Sequence, residues 1–193
     1  MAIDVSAPET DVGPMKDQRQ NQILSAAKTL FFERGLRATT MAAISETAGI
    51  AKPTLYSRYK DKNAIFQAVV ASILDELWAL MDVEFSKSGR VEARLTAALV
   101  AKYSVVFDML QSPHVAQMME DKVLYAGHAF EKLNTDVAKR IEGMISQAGY
   151  TNPSELTHLI LSCAFGIHRN ARTREDVARE ITAVVYALLA APK

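Results

Sequence analysis

Residues that let a chain turn back on itself are scarce here. Gly and Pro supply eight and six of 193 residues, about 7% of the chain where soluble proteins average roughly 12%. Few reversals mean few and long elements, so a sandwich or barrel with a turn every ten residues or so is disfavoured. The length allows one domain or two small ones. It is enough to bury roughly two-thirds of the unfolded surface without disulfides or a structural metal. A single cysteine, Cys163, excludes a disulfide framework and any Cys-rich zinc or iron–sulfur site, and makes a reduced cytosolic compartment the default. The first residues carry acids (Asp4, Glu9, Asp11) where a signal peptide would be basic and then apolar. The longest uncharged apolar run, Ile181 to Ala191, is too short to span a bilayer. The expected protein is soluble and cytoplasmic, with no membrane partner.

Helical periodicity fills the remainder. Residues 1–14, with Pro8, Gly13 and Pro14, show no period and read as a flexible arm. Ile23, Leu24, Ala27, Leu30 and Phe31 then recur at helical spacing up to a stop at Gly35. A short helix is expected from Met41 to Ala48 behind Thr39-Thr40, and another from Lys52 to Tyr59 with Pro53 in its first turn. Asp61 is suited to cap a longer helix carrying Ile65, Phe66, Val69, Val70, Ile73, Leu74, Leu77 and Leu80. Further helices are expected over 91–110, 115–125 and 127–148, from an Asn152 cap with Pro153 at the first position and Glu155 at the capping-box position to about His168, and from a Thr173 cap to Ala190. The fold class is all-α, with about nine helices and no convincing strand.

Thr39 to Tyr59 is the segment that carries chemistry. Two short helices joined by a tight turn at Gly49 match the helix-turn-helix plan. Ile44, Ala48, Ile50 and Leu55 form the apolar set that fixes their angle. Lys52, Pro53, Thr54, Tyr56, Ser57 and Tyr59 remain for the outer face: hydroxyls, a cation and rings, which suit phosphates, base edges and thymine methyls. Charge points the same way. Residues 15–63 hold nine basic and four acidic side chains in a chain of zero net charge, a basic module on a slightly acidic body, as a polyanion partner requires. A solvated surface would also account for that imbalance.

The run from Ile23 to Val70 resembles the N-terminal domain of the TetR family of bacterial transcriptional regulators. The residues that carry the resemblance are Ile23 to Phe31, Glu33-Arg-Gly35, Ala38-Thr-Thr-Met41, Ile44, Ala48-Gly-Ile50, Thr54-Leu-Tyr56, Tyr59-Lys-Asp-Lys62 and Phe66. It implies a helix-turn-helix domain over 15–62 (motif about 40–59) and a helical regulatory and dimerisation domain over 63–193. It implies a homodimer whose third helices enter successive major grooves of a palindromic double-stranded DNA operator. By the same resemblance Thr40 meets a phosphate, Lys52 a phosphate or guanine edge, and Pro53 and Thr54 face bases. Tyr56 lies on sugar-phosphate or a thymine methyl, Ser57 sits near the groove, Tyr59 binds phosphate and Lys62 approaches the backbone. Two positions depart from the family pattern: Ala51 stands where a Ser or Thr cap is common, and Ser57 where a longer side chain is frequent. Tyr56 and Tyr59 also have a plainer reading, as rings bracing the first helix against the fourth.

The body offers little catalytic chemistry. His114, His128, His158 and His168 form no His-Glu-x-x-His pair, and Glu155-Leu-Thr-His158 is a single Glu-x-x-His where a di-iron bundle needs two. No catalytic residue, metal or cofactor is expected. Cys163, in the apolar stretch Leu159 to Phe165, reads as a buried small side chain. Trp78, Met81, Tyr103, Phe107, Met118, Tyr125 and Phe130 are large, adaptable side chains. The resemblance implies that this region encloses a pocket for a small apolar or amphipathic effector; ordinary bundle core is the competing reading. The last two helices are broadly apolar, with small residues at Ala183, Ala187 and Ala190, and the resemblance assigns them to a two-fold four-helix interface. The expected function is a ligand-responsive repressor. The alternatives are a TetR-like activator, and an all-α small-molecule-binding protein or enzyme without specific DNA binding.

Overall fold

The computed structural model describes residues 13–190, and of these the side chains of all but 13–17 and 118–126. The arm expected over 1–14 lies outside the described residues except for Gly13 and Pro14, which open the first helix. Among the described residues there are eight helical elements and no strand. They are α1 (Gly13–Ala38), α2 (Met41–Thr47), α3 (Lys52–Arg58), α4 (Lys62–Ser86), α5 (Val91–Leu110), α6 (Pro113–Gln147), α7 (Pro153–Asn170) and α8 (Arg174–Leu188). Gly35, at φ 77° and ψ 164°, breaks α1 into two helical segments, so the segments number nine. The all-α expectation holds.

Several local expectations are corrected. The break expected near Gly127 is absent, and α6 runs unbroken for 35 residues. A glycine inside a helix costs about 1 kcal/mol against alanine, but it keeps its N–H and carbonyl, and no proline stands beside this one. Asn152 does not cap α7 with its side chain; it sits in the left-handed region (φ 54°), which asparagine tolerates. Thr173 does cap α8, in a reciprocal capping box with Asp176. Cys163 is exposed on the described surface rather than buried, because α7 turns Leu159, Ser162 and Cys163 away from Ile160 and Ala164.

The chain divides between Val69 and Val70 into two compact units. In the first, α1 buries Ile23, Ala27, Leu30 and Phe31 with Ile44 of α2, Leu55 of α3, and Ile65 and Phe66 at the start of α4. Phe31 and Phe66 meet edge to face, with centroids 5.7 Å apart. In the second, α5 packs against α6, α7 and α8, and α7 packs against α6 and α8. Its core includes Leu95, Leu99, Ile141, Ile145, Ile160, Val177, Ile181 and Val185. A buried polar group closes this unit. The Glu92 carboxylate accepts from Arg90 (3.1 Å) and from the Tyr150 hydroxyl (2.7 Å), which also lies 2.9 Å from the Leu189 carbonyl. The turn before α7 is thereby joined to the start of α5 and the end of α8.

By length and composition α4 could cross a membrane. The sequence reading, which looked to residues 181–191, overlooked this. The helix contributes buried side chains to both units, Ile65, Phe66 and Val69 to the first and Leu74, Leu77, Met81 and Phe85 to the second. Serving two cores accounts for part of its apolar character; Leu80 and Val83 of the same helix are exposed.

Candidate nucleic-acid interface

Helices α2 and α3 have seven residues each, too few to persist in isolation. Their ends are therefore held from outside. The buried Thr39 hydroxyl sits 2.8 Å from the Gly35 carbonyl and 3.3 Å from that of Leu30, closing the end of α1. Lys62, at the start of α4, donates to the carbonyls of Arg37 (2.9 Å) and Thr39 (2.8 Å). Thr40 caps α2, accepting from the Ala43 N–H at 3.1 Å. At the turn, Gly49 takes φ 65°, where a side chain would be strained, and the Ser45 hydroxyl donates to the Ile50 carbonyl. Asp61 caps α4 through the Ala64 N–H at 2.8 Å. None of the hydrogen bonds made by Thr39, Ser45 or Lys62 was read from the sequence. A threonine pair after a glycine stop was the available signal for Thr39.

Leu55 is fully buried and anchors α3. Lys52, Pro53, Tyr56 and Ser57 stand one turn apart on its opposite side and are exposed. Tyr56 exposes 54% of its surface, a large ring with nothing over it. Thr40 is exposed too, and its oxygen accepts within α2 while its proton stays available to an outside acceptor. Thr54, Tyr59 and Lys62 are half-buried. Burial pushes the Tyr59 phenol up, against an opposing effect of Arg58, so it is a neutral donor at physiological pH. Two expected contacts are partly committed elsewhere. Ser57 donates to the Thr54 carbonyl at 2.9 Å, and two donors of Lys62 serve the end of α1 and Thr39. Ala51 begins α3 with no side-chain cap.

Residues 23–69 match the sequence family described as bacterial regulatory proteins of the tetR family. That stretch is a TetR-family domain. The chain is 27% identical to the transcriptional repressor KstR2 of Rhodococcus jostii, over 97% of this chain and 99% of that protein. It is 31% identical to the transcriptional activator FasR of Mycolicibacterium smegmatis over 47% and 42% of the two chains. A transcriptional regulator from Cytophaga hutchinsonii has the same fold, with a TM-score of 0.70 at 20% identity over 90% and 98% of the chains. The protein is accordingly a DNA-binding transcriptional regulator and not an enzyme, and the outward face of α3 is its candidate reading surface.

The body residues expected around an effector are dispersed. Met81 is fully buried in the core. Trp78 lines a cavity of about 230 Å³ with Leu74, Asp75 and Leu133. Phe107 and Phe130 are half-buried. Met118 and Tyr125 fall outside the described side chains. Tyr103 lines a larger cavity of about 410 Å³, formed by α5, α6 and α7, whose other walls were not read from the sequence. Burial pushes the Tyr103 phenol up to about 12, and His168 stacks on its ring at 5.0 Å between centroids.

Proposed function

We propose that the protein is a cytoplasmic, ligand-responsive repressor that binds a palindromic operator as a homodimer. Residues 15–62 would form the DNA-binding domain and 63–193 the regulatory and dimerisation domain. The observation that carries the reading is α3: a helix pinned by Leu55 whose opposite side presents Lys52, Pro53, Tyr56 and Ser57 to solvent. In a homodimer two such helices lie about one DNA turn, ~34–36 Å, apart, and enter successive major grooves.

Dimerisation is supported by the outer faces of the last two helices. Leu159 and Phe165 of α7 and Tyr186 of α8 are exposed apolar side chains. Ala183, Ala187 and Ala190 lie beside Tyr186 on the exposed side and permit close approach. A second copy covering these faces would also bury Cys163. An effector fits the reading because the body holds cavities, and a ligand acts by its different affinity for the DNA-competent and released states. An activator would use the same DNA-binding face; the partial similarity to FasR keeps that second reading open, and transcription from the bound promoter separates the two.

Gel-shift titration of the purified protein on its own upstream DNA tests the proposal, at two salt concentrations and with random competitor. Specific binding that falls steeply with salt is expected. Lys52→Ala and Tyr56→Ala each weaken it about tenfold or more while the dimer, read by light scattering, persists. Binding that random DNA competes away equally would defeat the operator reading.

A further inference from the structure

Lys62 differs in setting from the lysines nearest to it in the chain. Lys52 and Lys60 are exposed, whereas Lys62 is half-buried at the start of α4. Its ammonium has three N–H groups. Two are directed at main-chain carbonyls, that of Arg37 at 2.9 Å and that of Thr39 at 2.8 Å. A cation suits the first, because the last carbonyls of a helix have no partner within it and carry its negative end. The second belongs to the two-residue link, Thr39-Thr40, that joins α1 to α2. A lysine that meets a phosphate is ordinarily a mobile point charge on a flexible stem. Here charge-assisted bonds to two acceptors hold the ammonium in one place.

The link is gripped from both sides. The Thr39 hydroxyl donates to the Gly35 carbonyl of α1, and the Thr39 carbonyl accepts from Lys62. Thr40 follows with no residue between. Its side chain caps α2 through the Ala43 N–H, its carbonyl accepts from the Ile44 N–H, and its hydroxyl proton is left for an outside acceptor. On the other side Asp61 caps α4 through the Ala64 N–H, so the stem of Lys62 leaves a fixed helix start. Only residues 59–61 separate that start from the end of α3. Lys62 therefore ties the end of α1, the approach to α2 and the start of α4 together at one point.

We propose that Lys62 is a positioning residue for DNA binding: it fixes the Thr39-Thr40 link and raises DNA affinity through the Thr40 hydroxyl, not by a phosphate contact of its own. The inference rests on the reading above in which the Thr40 face meets DNA.

The test is fluorescence-anisotropy titration of the full-length protein on its own upstream DNA over a range of salt concentrations. A lysine that neutralises a phosphate contributes about 0.9 to the slope of log affinity against log salt. Lys62→Met weakens binding about tenfold while lowering the slope by less than half of that amount. Thr40→Ala weakens the wild-type protein about tenfold and the Lys62→Met protein hardly at all, a coupling that general loosening of the fold would not produce. Thermal melts check that each variant is folded at the assay temperature. Should Lys62→Met not be, Lys62→Gln, neutral but still an N–H donor, reads the same slope. A slope lowered by half of that amount or more, additive losses at Thr40 and Lys62, or unchanged affinity in Lys62→Met overturns the proposal. A wild-type protein that binds random DNA as tightly as its upstream DNA defeats the palindromic operator alone, since slope and coupling are then read on random duplex. Binding to neither DNA defeats both.

Discussion

The two units of the chain differ in where they place some of their buried polar side chains. Around α2 and α3, Thr39, Thr40, Ser45, Asp61 and Lys62 are each engaged with a backbone group of the first unit. In the second unit, Lys102, Tyr103 and Thr157 are gathered on a cavity floor, and the Thr157 hydroxyl is without a partner. The difference follows from helix length. Seven-residue helices cannot hold themselves, so the first unit uses its hydroxyls and charges to hold them at one angle, which is what reading a groove demands. Helices of 15 to 35 residues in the second unit are stabilised by their own turns and by apolar layers. Some polar side chains then line a cavity, while others, such as Tyr150 and Thr173, still close helix ends.

The strongest way to break this contrast is through the apolar anchors. Leu55→Ala removes a fully buried side chain from the helix that most depends on its anchor, and costs about 2–5 kcal/mol. Leu99→Ala, equally buried in the second unit, costs a similar amount on the same scale. The two variants part company in function. Leu55→Ala is expected to abolish operator binding with the dimer intact, and Leu99→Ala to lower the melting temperature with DNA affinity nearly kept below it. Equal loss of DNA binding in both would show that α3 is not specially dependent on its anchor. Next in size is Thr39→Val, which keeps the shape and removes the hydroxyl between two carbonyls. About 1–3 kcal/mol is expected, read by chemical denaturation, with DNA affinity falling because the approach to Thr40 is loosened.

The buried carboxylate of the second unit sharpens the contrast through pH. The Arg90 guanidinium, followed by the Tyr150 hydroxyl, holds Glu92 down at about 2 against the retarding effect of its burial. Its folded value lies below its unfolded one, near the usual carboxylate range, so the carboxylate contributes stability that is complete above about pH 4.5. That stability fades as pH falls from there toward 2. Glu92→Gln is therefore expected to lower stability at neutral pH and to flatten the acid limb of the stability curve. Denaturant melts between pH 3 and 7 measure both, and an unchanged acid limb would show that the Arg90–Glu92–Tyr150 contact is not formed. Tyr150→Phe gives a smaller loss, about 1.5–3 kcal/mol for a hydrogen bond to a charged group.

What the sequence disclosed follows the range of the interactions involved. Helix type and most boundaries were legible because the 3.6-residue period and the Gly and Pro stops act locally, and so was the outward face of α3, since Leu55 and Tyr56 must point apart in a helix. Gly127 misled because continuation through a lone glycine depends on what surrounds the helix, not on the residue. The cavity was almost wholly hidden. Tyr103 was singled out for its ring, while Lys102, Thr157 and Glu142 lie on three different helices and converge only on folding. Large apolar side chains such as Met81 drew attention as candidate pocket walls and are core. The informative residues were the polar ones, whose burial no local pattern records.

The smallest expected effect falls inside the first unit, at the two neighbouring helix starts. Thr40 begins α2 with a side-chain cap, whereas Ala51 begins α3 without one. Backbone conformation is not the reason. Ala51 takes φ −60° and ψ 137°, an extended geometry suited to a cap, and its carbonyl already accepts from the N–H groups of Thr54 and Leu55. Pro53 has no N–H to offer, so a serine hydroxyl at 51 would serve the Thr54 N–H. Ala51→Ser is expected to stabilise by about 0.5–1 kcal/mol and Thr40→Ala to destabilise by about 1 kcal/mol. The functional readouts should diverge. Thr40→Ala loses a hydroxyl that also faces the proposed DNA phosphate and weakens operator binding. Ala51→Ser leaves affinity unchanged or raises it by steadying α3. If Ala51→Ser stabilises the protein and yet weakens binding, a looser start to α3 is part of how the helix fits its groove. The first unit would then be less rigid at its reading edge than the hydrogen bonds around it require.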